Sequence, residues 1–506
     1  MSAAHPTSTS ASAERFPDAD PEKHQVVFDD SEDKSSNVSY EFDTPEDREL
    51  LRKVDKRLLP VLTLLYLLSF LDRSNVGNAK IDGLTKDINV SPPAYNTSLA
   101  LYFIAYVTFE IPANIILKRF DPQFWLPFLT LIWGIVSIFQ GFVTDQASLF
   151  GVRYRRDTVL GAAESGLFPG VVFLFSVYYR RSERHWRVAV FFGGAALAGA
   201  FGGVLAYVIG KMDGIGGKRG WAWIFIIEGL MTVVISLFAF FWVPTWSYKA
   251  QFLTTDERAR LQARLAADSD AAGKETFSWV YVRQALTDPS VWGYALLFHG
   301  FSFVLYSLSL FMPTIIADLG FATWKAQLMT VPPNALAALG IWFGAWAAAR
   351  TKLRAPWIIA AGGVAIIGYI IMASTEKAGP QYVGVHLASL GVYTGNALLL
   401  SWPSENISGQ TKRAVAVAMQ ITIGDCGAIT GLLIYRPEFA AHHFRKPHII
   451  AIGYIFLGIA SASALWYWMA RENRRRAEII ASGKDEVDSK TRLDLGDRDV
   501  HWKYQV

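Results

Sequence analysis

The chain is short of two things that most proteins of its length have, cysteine and charge. One cysteine, Cys426, stands among 506 residues, so neither an intrachain disulfide nor a cysteine-based metal site can form. Asp, Glu, Lys and Arg make up 18% of the residues, where soluble domains carry about a quarter. A net charge of +4 is small for a nucleic-acid-binding protein, so no nucleic-acid partner is expected. The glycine-rich stretch "GKMDGIGGKRG" is not a P-loop. Met212 stands where its first glycine belongs, and no Ser or Thr follows Lys218, which argues against ATP as the energy source. The three histidines of "AHHFRKPH" have no carboxylate or cysteine pattern beside them and read as an ordinary loop, so no metal and no cofactor are expected. The first 50 residues lack the apolar core of a signal peptide, and the first spanning helix is expected to act as the membrane signal.

What the chain has is apolar length. Apolar residues make up 52% of it, the mean hydropathy is +0.24, and the excess is gathered into runs long enough to cross about 30 Å of hydrocarbon as helices. Lipid offers no hydrogen bonds to an open backbone, and the runs do not alternate as barrel strands do. The expected fold is an all-α polytopic membrane protein with twelve transmembrane helices in two six-helix halves. The spans are read at 57–78, 96–118, 123–143, 148–178, 188–210, 221–244, 291–318, 325–349, 355–374, 381–403, 412–435 and 448–470. This gives a disordered tail (1–50), a first half (51–245), a central loop (246–290), a second half (291–472) and a second polar tail (473–506), also expected to lack order. In the central loop, "LTTDERARLQARLAAD" reads as an amphipathic helix with Thr254 and Glu257 as its capping box.

Lysine and arginine fall unevenly on the two sides. One side collects Arg52, Lys53, Lys56, Arg57, Arg180, Arg181, Arg184, Arg187, Arg350, Lys412 and the cluster Arg474–Arg476 among others; the opposite side has fewer. The richer side is expected to be cytoplasmic, with both termini and the central loop on it. The expected residence is the plasma membrane, with the vacuole or another internal membrane as the alternative, and a monomer suffices because the halves bury one another. Two six-span halves joined by a long loop suggest a secondary transporter with its site near the bilayer midplane.

The first span ends "YLLSFLDRSNVGNAK". Ionisable residues at membrane depth cost about 2.5–3.5 kcal/mol each on insertion scales, so Asp72 and Arg73 need a partner or a watery cavity. One reading places them at the outer membrane surface, where charge is cheap. The other makes them a site in which Arg73 attracts an anionic group and Asp72 takes a proton, each holding the other until an anion competes. Glu164, alone in the small and apolar "GAAESGLFPG", is a second proton candidate or else a structural carboxylate. Glu110 in "TFEIPAN" is expected to gate by pairing with a basic loop residue.

Several separated stretches resemble one known family. They are "FLDRSNVGNAKIDGL", "FEIPANIILKRF", "GAAESGLFPGVVF", "RRSER", "AALAGAFGGVLAY", "WAWIFIIEGLMTVV" and "GQTKRAVAVAMQI". Together they are similar to the fungal anion:cation symporter, or allantoate permease-like, branch of the major facilitator superfamily, over about residues 50–475. The resemblance implies a proton-coupled carrier of small acids such as nicotinate, pantothenate, biotin or allantoate, working by alternating access. It further implies proton coupling at Asp72 and Glu164, anion binding at Arg73, and gating by Arg180, Arg181 and Arg184 through salt bridges between helices. Export of an acidic metabolite is the alternative direction, and a non-transporting receptor a third reading. The family places an arginine ahead of the fourth-span Glu, but this chain reads "VRYRRDTVLGAAES", with about one helical turn of extra residues. Arg153 or Arg156 then fills that place, and the segment is extracellular, lines the cavity, or is an error in the sequence itself. In the second half the candidate contacts are His299, Asn334, Asn396, Gln420 and Asp425, each also at home as an interhelical hydrogen-bond partner. Tyr102, Tyr106 and Tyr306 are rings that could stack on a planar acid or simply pack.

Overall fold

Thr44 and Pro45 begin the first helix. The Thr44 hydroxyl accepts from the Asp47 N–H at 3.4 Å, Pro45 occupies the first turn, and Glu46 and Asp47 complement the positive helix end. The resulting helix, α1 (Pro45–Ile81), is longer than the membrane is thick, so its charged first turns stand outside the lipid. Residues 45–56 are therefore helix, where the sequence reading had the end of the tail up to residue 50 and began the span at 57.

The computed structural model describes residues 42–117, 120–143, 161, 163–267, 278–436, 438–439, 443–482 and 496–506; the first 41 residues, Arg153 and the "RRDT" segment lie outside these. Every regular element among the described residues is helical. After α1 the spans are α2 (Pro92–Leu117), α3 (Pro122–Gln140), α4 (Ala163–Ser176), α5 (Arg181–Gly210), α6 (Gly220–Trp242), α7 (Pro289–Asp318), α8 (Val331–Thr351), α9 (Ala355–Ser374), α10 (Ala378–Leu399), α11 (Gln410–Ile434) and α12 (Arg445–Ala481). Nine helices among the described residues are long and apolar enough to cross a membrane by themselves. The other three spans are α1, α2 and α4. The fold is that of a polytopic all-α membrane protein with twelve spans.

Burial sorts the helices into centre and rim. α7 buries 83% of its most apolar window, whereas α6 buries 39% and leaves Leu230, Val234, Leu237, Phe238 and Phe241 on one outward face. Apolar side chains in that pattern belong against lipid. α3 packs on α6, and α9 on α10 and α12, away from the junction of the halves. Across that junction α1 meets α7, α2 meets α11, and α5 meets α8. The crossings are close. An added Cβ at Gly77 of α1 would run into the Leu310 carbonyl, and one at Gly203 of α5 into the Gln327 carbonyl.

The central loop carries the expected capped helix, Thr255–Ala266, in which Thr254 and Glu257 exchange bonds of 3.2 and 2.8 Å. It is bound to the spans by Lys53–Glu257 at 2.7 Å, Arg260–Asp47 at 2.6 Å and Arg264–Glu183 at 2.6 Å. The polar C-terminal tail corrects the expectation of disorder where it is described. α12 continues to Ala481, and residues 496–506 lie on the same face of the bundle as the start of α1. The Trp402 indole donates to the Gln505 carbonyl at 2.8 Å, Arg354 N–H to the Val506 carbonyl at 2.8 Å, and Lys412 bridges Asp288 and Asp497 at 2.7 Å each. Low apolar content misled here, because the tail is held by polar groups that the second half leaves unmatched.

Candidate functional site

Two faces of α1 carry its polar residues to different places. Ser69 and Arg73, four residues apart, point toward the junction of the halves. Arg73 Nε donates to Glu164 of α4 at 3.0 Å, Ser69 Oγ donates to the same carboxylate at 3.2 Å, and the Tyr102 hydroxyl of α2 donates to it as well. The Arg73 and Glu164 side chains retain 9% and 0% of their exposure, so this ion pair is sealed in protein. Burying two charges is expensive, and further contacts offset that cost. Arg73 NH1 donates across the junction to the Tyr306 hydroxyl at 3.3 Å. The guanidinium lies 5.1 Å from the ring centres of Phe70 and Tyr106, 5.6 Å from Tyr102 and 5.9 Å from Tyr306.

Next to this cage runs a narrow cavity of about 390 Å³, its open mouth included. Phe70, Arg73, Ser74 and Asn78 of α1 face Ser309 and Met312 of α7, Asn334 of α8 and Tyr393 of α10 across it. It therefore lies between the halves. Asn334 donates to the Thr330 carbonyl at 2.8 Å, while its side-chain oxygen is buried without a partner. On the face opposite the chain ends the halves also meet, where Asn96 of α2 donates to the Tyr435 carbonyl at 3.2 Å and Lys80 lies between the Tyr95 and Phe311 rings. There Asp82, half-buried and near Asp213 and Asp87, is pushed up to about 6, by partial burial first and by those like charges second. On the face of the chain ends the halves meet where Arg181 lies 4.0 Å over the Trp502 ring.

The structure brings together Arg73, Glu164, Tyr102, Tyr106 and Tyr306, and lines the cavity with Asn334. It does not pair Arg73 with Asp72. Asp72 is buried on another face of α1, where it accepts from Ser137 of α3, and it does not line the cavity. One residue along a helix is a rotation of about 100°, enough to send neighbouring side chains to different partners. His299 donates to the Ile423 carbonyl at 2.8 Å and lies beside Tyr454 of α12; Asn396 donates to the Phe301 and Val392 carbonyls, and Gln420 to the Leu399 carbonyl. These three serve helix packing in this state. Asp425 accepts from Ser302 at 3.4 Å. Glu110 is buried, with Thr422 of α11 beside it across the junction.

The arginines at the start of α5 divide their work. Arg180 caps the helix through Glu183 and reaches Asp43 at 3.5 Å, and Arg184 donates to the Tyr179 and Ser176 carbonyls. Arg187, not singled out as a gate from sequence, makes the bidentate pair with Asp55 of α1 at 2.6 and 2.9 Å. Sequence reasoning also passed over Ser74, Ser309, Met312, Thr330 and Tyr393, which are ordinary residues until the packing places them on the cavity. It passed over Glu228 too, although a lone acid in "WAWIFIIEGLMTVV" was the signal to follow.

Comparison with known proteins agrees with this architecture. The Major Facilitator Superfamily profile matches residues 62–432. An uncharacterized transporter of Schizosaccharomyces pombe is 32% identical over 463 residues, covering 92% of each chain. The high-affinity nicotinic acid transporter of Saccharomyces cerevisiae is 31% identical over 437 residues, covering 86% of this chain and 80% of its own. Among solved structures, the bacterial homolog of the human lysosomal transporter Spinster, inward-facing and occupied, superposes with a TM-score of 0.60 at 15% identity, over 83% of this chain and 97% of that one. A profile spanning most of the chain and relatives of this identity along nearly all of it place the protein beyond the enzymes and among the carriers: the chain belongs to the major facilitator superfamily and is a multi-pass membrane transporter.

Proposed function

We propose that the protein is a proton-coupled carrier of a small organic anion, taking up a nicotinate-like ring carboxylate by alternating access. The observation that carries this reading is the Arg73–Glu164 pair, 3.0 Å apart, sealed at the junction of the halves inside an aromatic cage. Either charge left alone there would be strongly unfavourable. A substrate carboxylate can take the place of Glu164 at Arg73 only if Glu164 gives up its charge, and it does so by accepting a proton. One anion and one proton then enter together and the site stays neutral, so coupling follows from the cost of burying unpaired charge. Planar bidentate recognition suits a guanidinium, and the rings of Phe70, Tyr102, Tyr106 and Tyr306 suit a flat unsaturated acid. Asn334 offers a hydrogen-bond acceptor from the opposite half. Relatives include a transporter of nicotinic acid, which supports that class of substrate. The richer basic side, which bears the chain ends, is taken as cytoplasmic, and the plasma membrane as the site of uptake.

The test is uptake in yeast lacking its own carriers, with labelled nicotinate, pantothenate, biotin, allantoate and a dicarboxylate at acidic and neutral pH, with and without a protonophore. Accumulation of a monocarboxylate at acidic pH that collapses with the protonophore is the expected result. Surface-located protein that accumulates none of them, or does so unaffected by the protonophore, overturns the reading.

A further inference from the structure

A second buried acid lies in the first half, away from the Arg73 cage. Glu228 is the one charged residue of α6 and is 2% exposed. Its partner is Asn75 of α1, 0% exposed, whose side-chain N–H donates to Glu228 Oε2 at 2.5 Å. That bond leaves two oxygens, Glu228 Oε1 and Asn75 Oδ1, both buried and without a hydrogen-bond partner among the described residues. Two acceptors cannot satisfy each other. A proton on Oε1 turns one of the two acceptors into a donor, and a neutral acid and an amide are matched to pair through two hydrogen bonds. An ionised Glu228 would instead leave a buried carboxylate oxygen without a donor or cation among the described residues.

We propose that Glu228 and Asn75 form a proton site of the carrier, filled in this state and emptied when α1 moves against α6. The surroundings supply no competing cation among the described residues. α6 packs on α1, α3 and α5. α3 has no charged residue, and α5 has none between Val188 and Gly210. On α1, Asp72 is a like charge bound by Ser137, Arg73 is turned to Glu164, and Lys80 to Tyr95 and Phe311. Asn75 stands two residues from Arg73 on one rigid helix. When Arg73 exchanges Glu164 for substrate and α1 shifts, the amide is drawn off the acid. The O–H bond of Glu228 then breaks, its electron pair stays on the carboxylate, and the proton passes to water in the opened half. This rests on the proton-coupled reading above and adds a second titrating group to it.

The variant to make is Glu228→Gln, which keeps a donor and an acceptor where the neutral acid has them and cannot release a proton. Infrared spectra of the purified protein at neutral pH are expected to show the C=O band of a buried neutral carboxyl, absent in E228Q and displaced in Asn75→Ala. Superimposable parent and E228Q spectra in that band overturn the site. In proteoliposomes, E228Q is expected to exchange labelled nicotinate at the parent rate while losing the extra accumulation that an imposed pH gradient drives in the parent. Gradient-driven accumulation equal to the parent's, or loss of exchange at an unchanged unfolding midpoint, overturns release during the cycle. A parent that ignores the gradient defeats proton coupling itself, while the infrared band still decides whether Glu228 holds the proton.

Discussion

The two halves share a helical plan but not a polar inventory. The first half places Asp72, Arg73, Glu110, Glu164 and Glu228 within its spans; in the second, Ser309 and Asn334 on the cavity and Asn396 and Gln420 in the packing are neutral, Asp425 is a buried acid, and the charges Arg354, Glu405 and Lys412 are paired at the helix ends on the face of the chain ends. Charge at membrane depth is tolerated where it works, so under the proposed function the ions are handled in the first half. Amides and hydroxyls fix orientation at low cost, which suits the second half to recognising the rest of the substrate. Arg73 bonding to Tyr306 is where the two meet.

Substitutions can break this division of labour. The largest effect is expected from Arg73→Ala, which strands Glu164. Loss of about 3–5 kcal/mol, or more than about a hundredfold in uptake, follows from breaking a buried pair. Arg73→Lys should not rescue it, because an ammonium lacks the planar fork and stacks poorly in the cage; uptake and surface expression measured together decide this. Glu164→Gln should uncouple: exchange of labelled substrate across the membrane persists while accumulation at acidic pH disappears. Asn334→Ala should raise the apparent KM by about tenfold, in line with about 1–1.5 kcal/mol for a lost hydrogen bond, and leave the pH profile untouched. A changed pH profile in that variant would show that the halves do not divide their roles.

Smaller effects are expected at the closures. Trp502→Ala removes the cation–π contact with Arg181 and should change the turnover rate by a few-fold, about 0.5–1 kcal/mol, with substrate affinity preserved. At the opposite face Asp82 is held at about 6 against an ordinary 3.8. Its folded-state value is raised, so its contribution is most favourable below the unfolded value and declines as pH climbs through about 6. Asp82→Asn should therefore flatten that part of the stability curve and leave the variant more stable than the parent at neutral pH, as thermal unfolding in detergent would show.

Much of the fold was legible beforehand because lipid imposes it. An apolar run of spanning length has few other fates, and the Thr254–Glu257 box announced its helix by local chemistry alone. The candidate site was legible only in part. Arg73 and Glu164 stand out as ionisable residues in apolar surroundings, yet their partnership spans 91 positions and depends on the rotation of α1 and α4. Adjacency in sequence suggested the wrong pair, Asp72 with Arg73. Asn334, Asn396 and Gln420 look alike in sequence, and only packing puts the first on the cavity and ties the other two to backbone carbonyls. Tail order was illegible for the opposite reason: what holds residues 496–506 is a set of polar groups far away in the chain.

The sequence by itself determined that this is a bundle of lipid-spanning helices with acids and an arginine buried in its first half, since backbone and charge have few ways to satisfy themselves in hydrocarbon. Only the tertiary structure decided which acid meets the arginine, which amides reach the cavity, and that Glu228 meets Asn75. Those outcomes turn on helix rotation and close approach, which residues distant in the chain settle together.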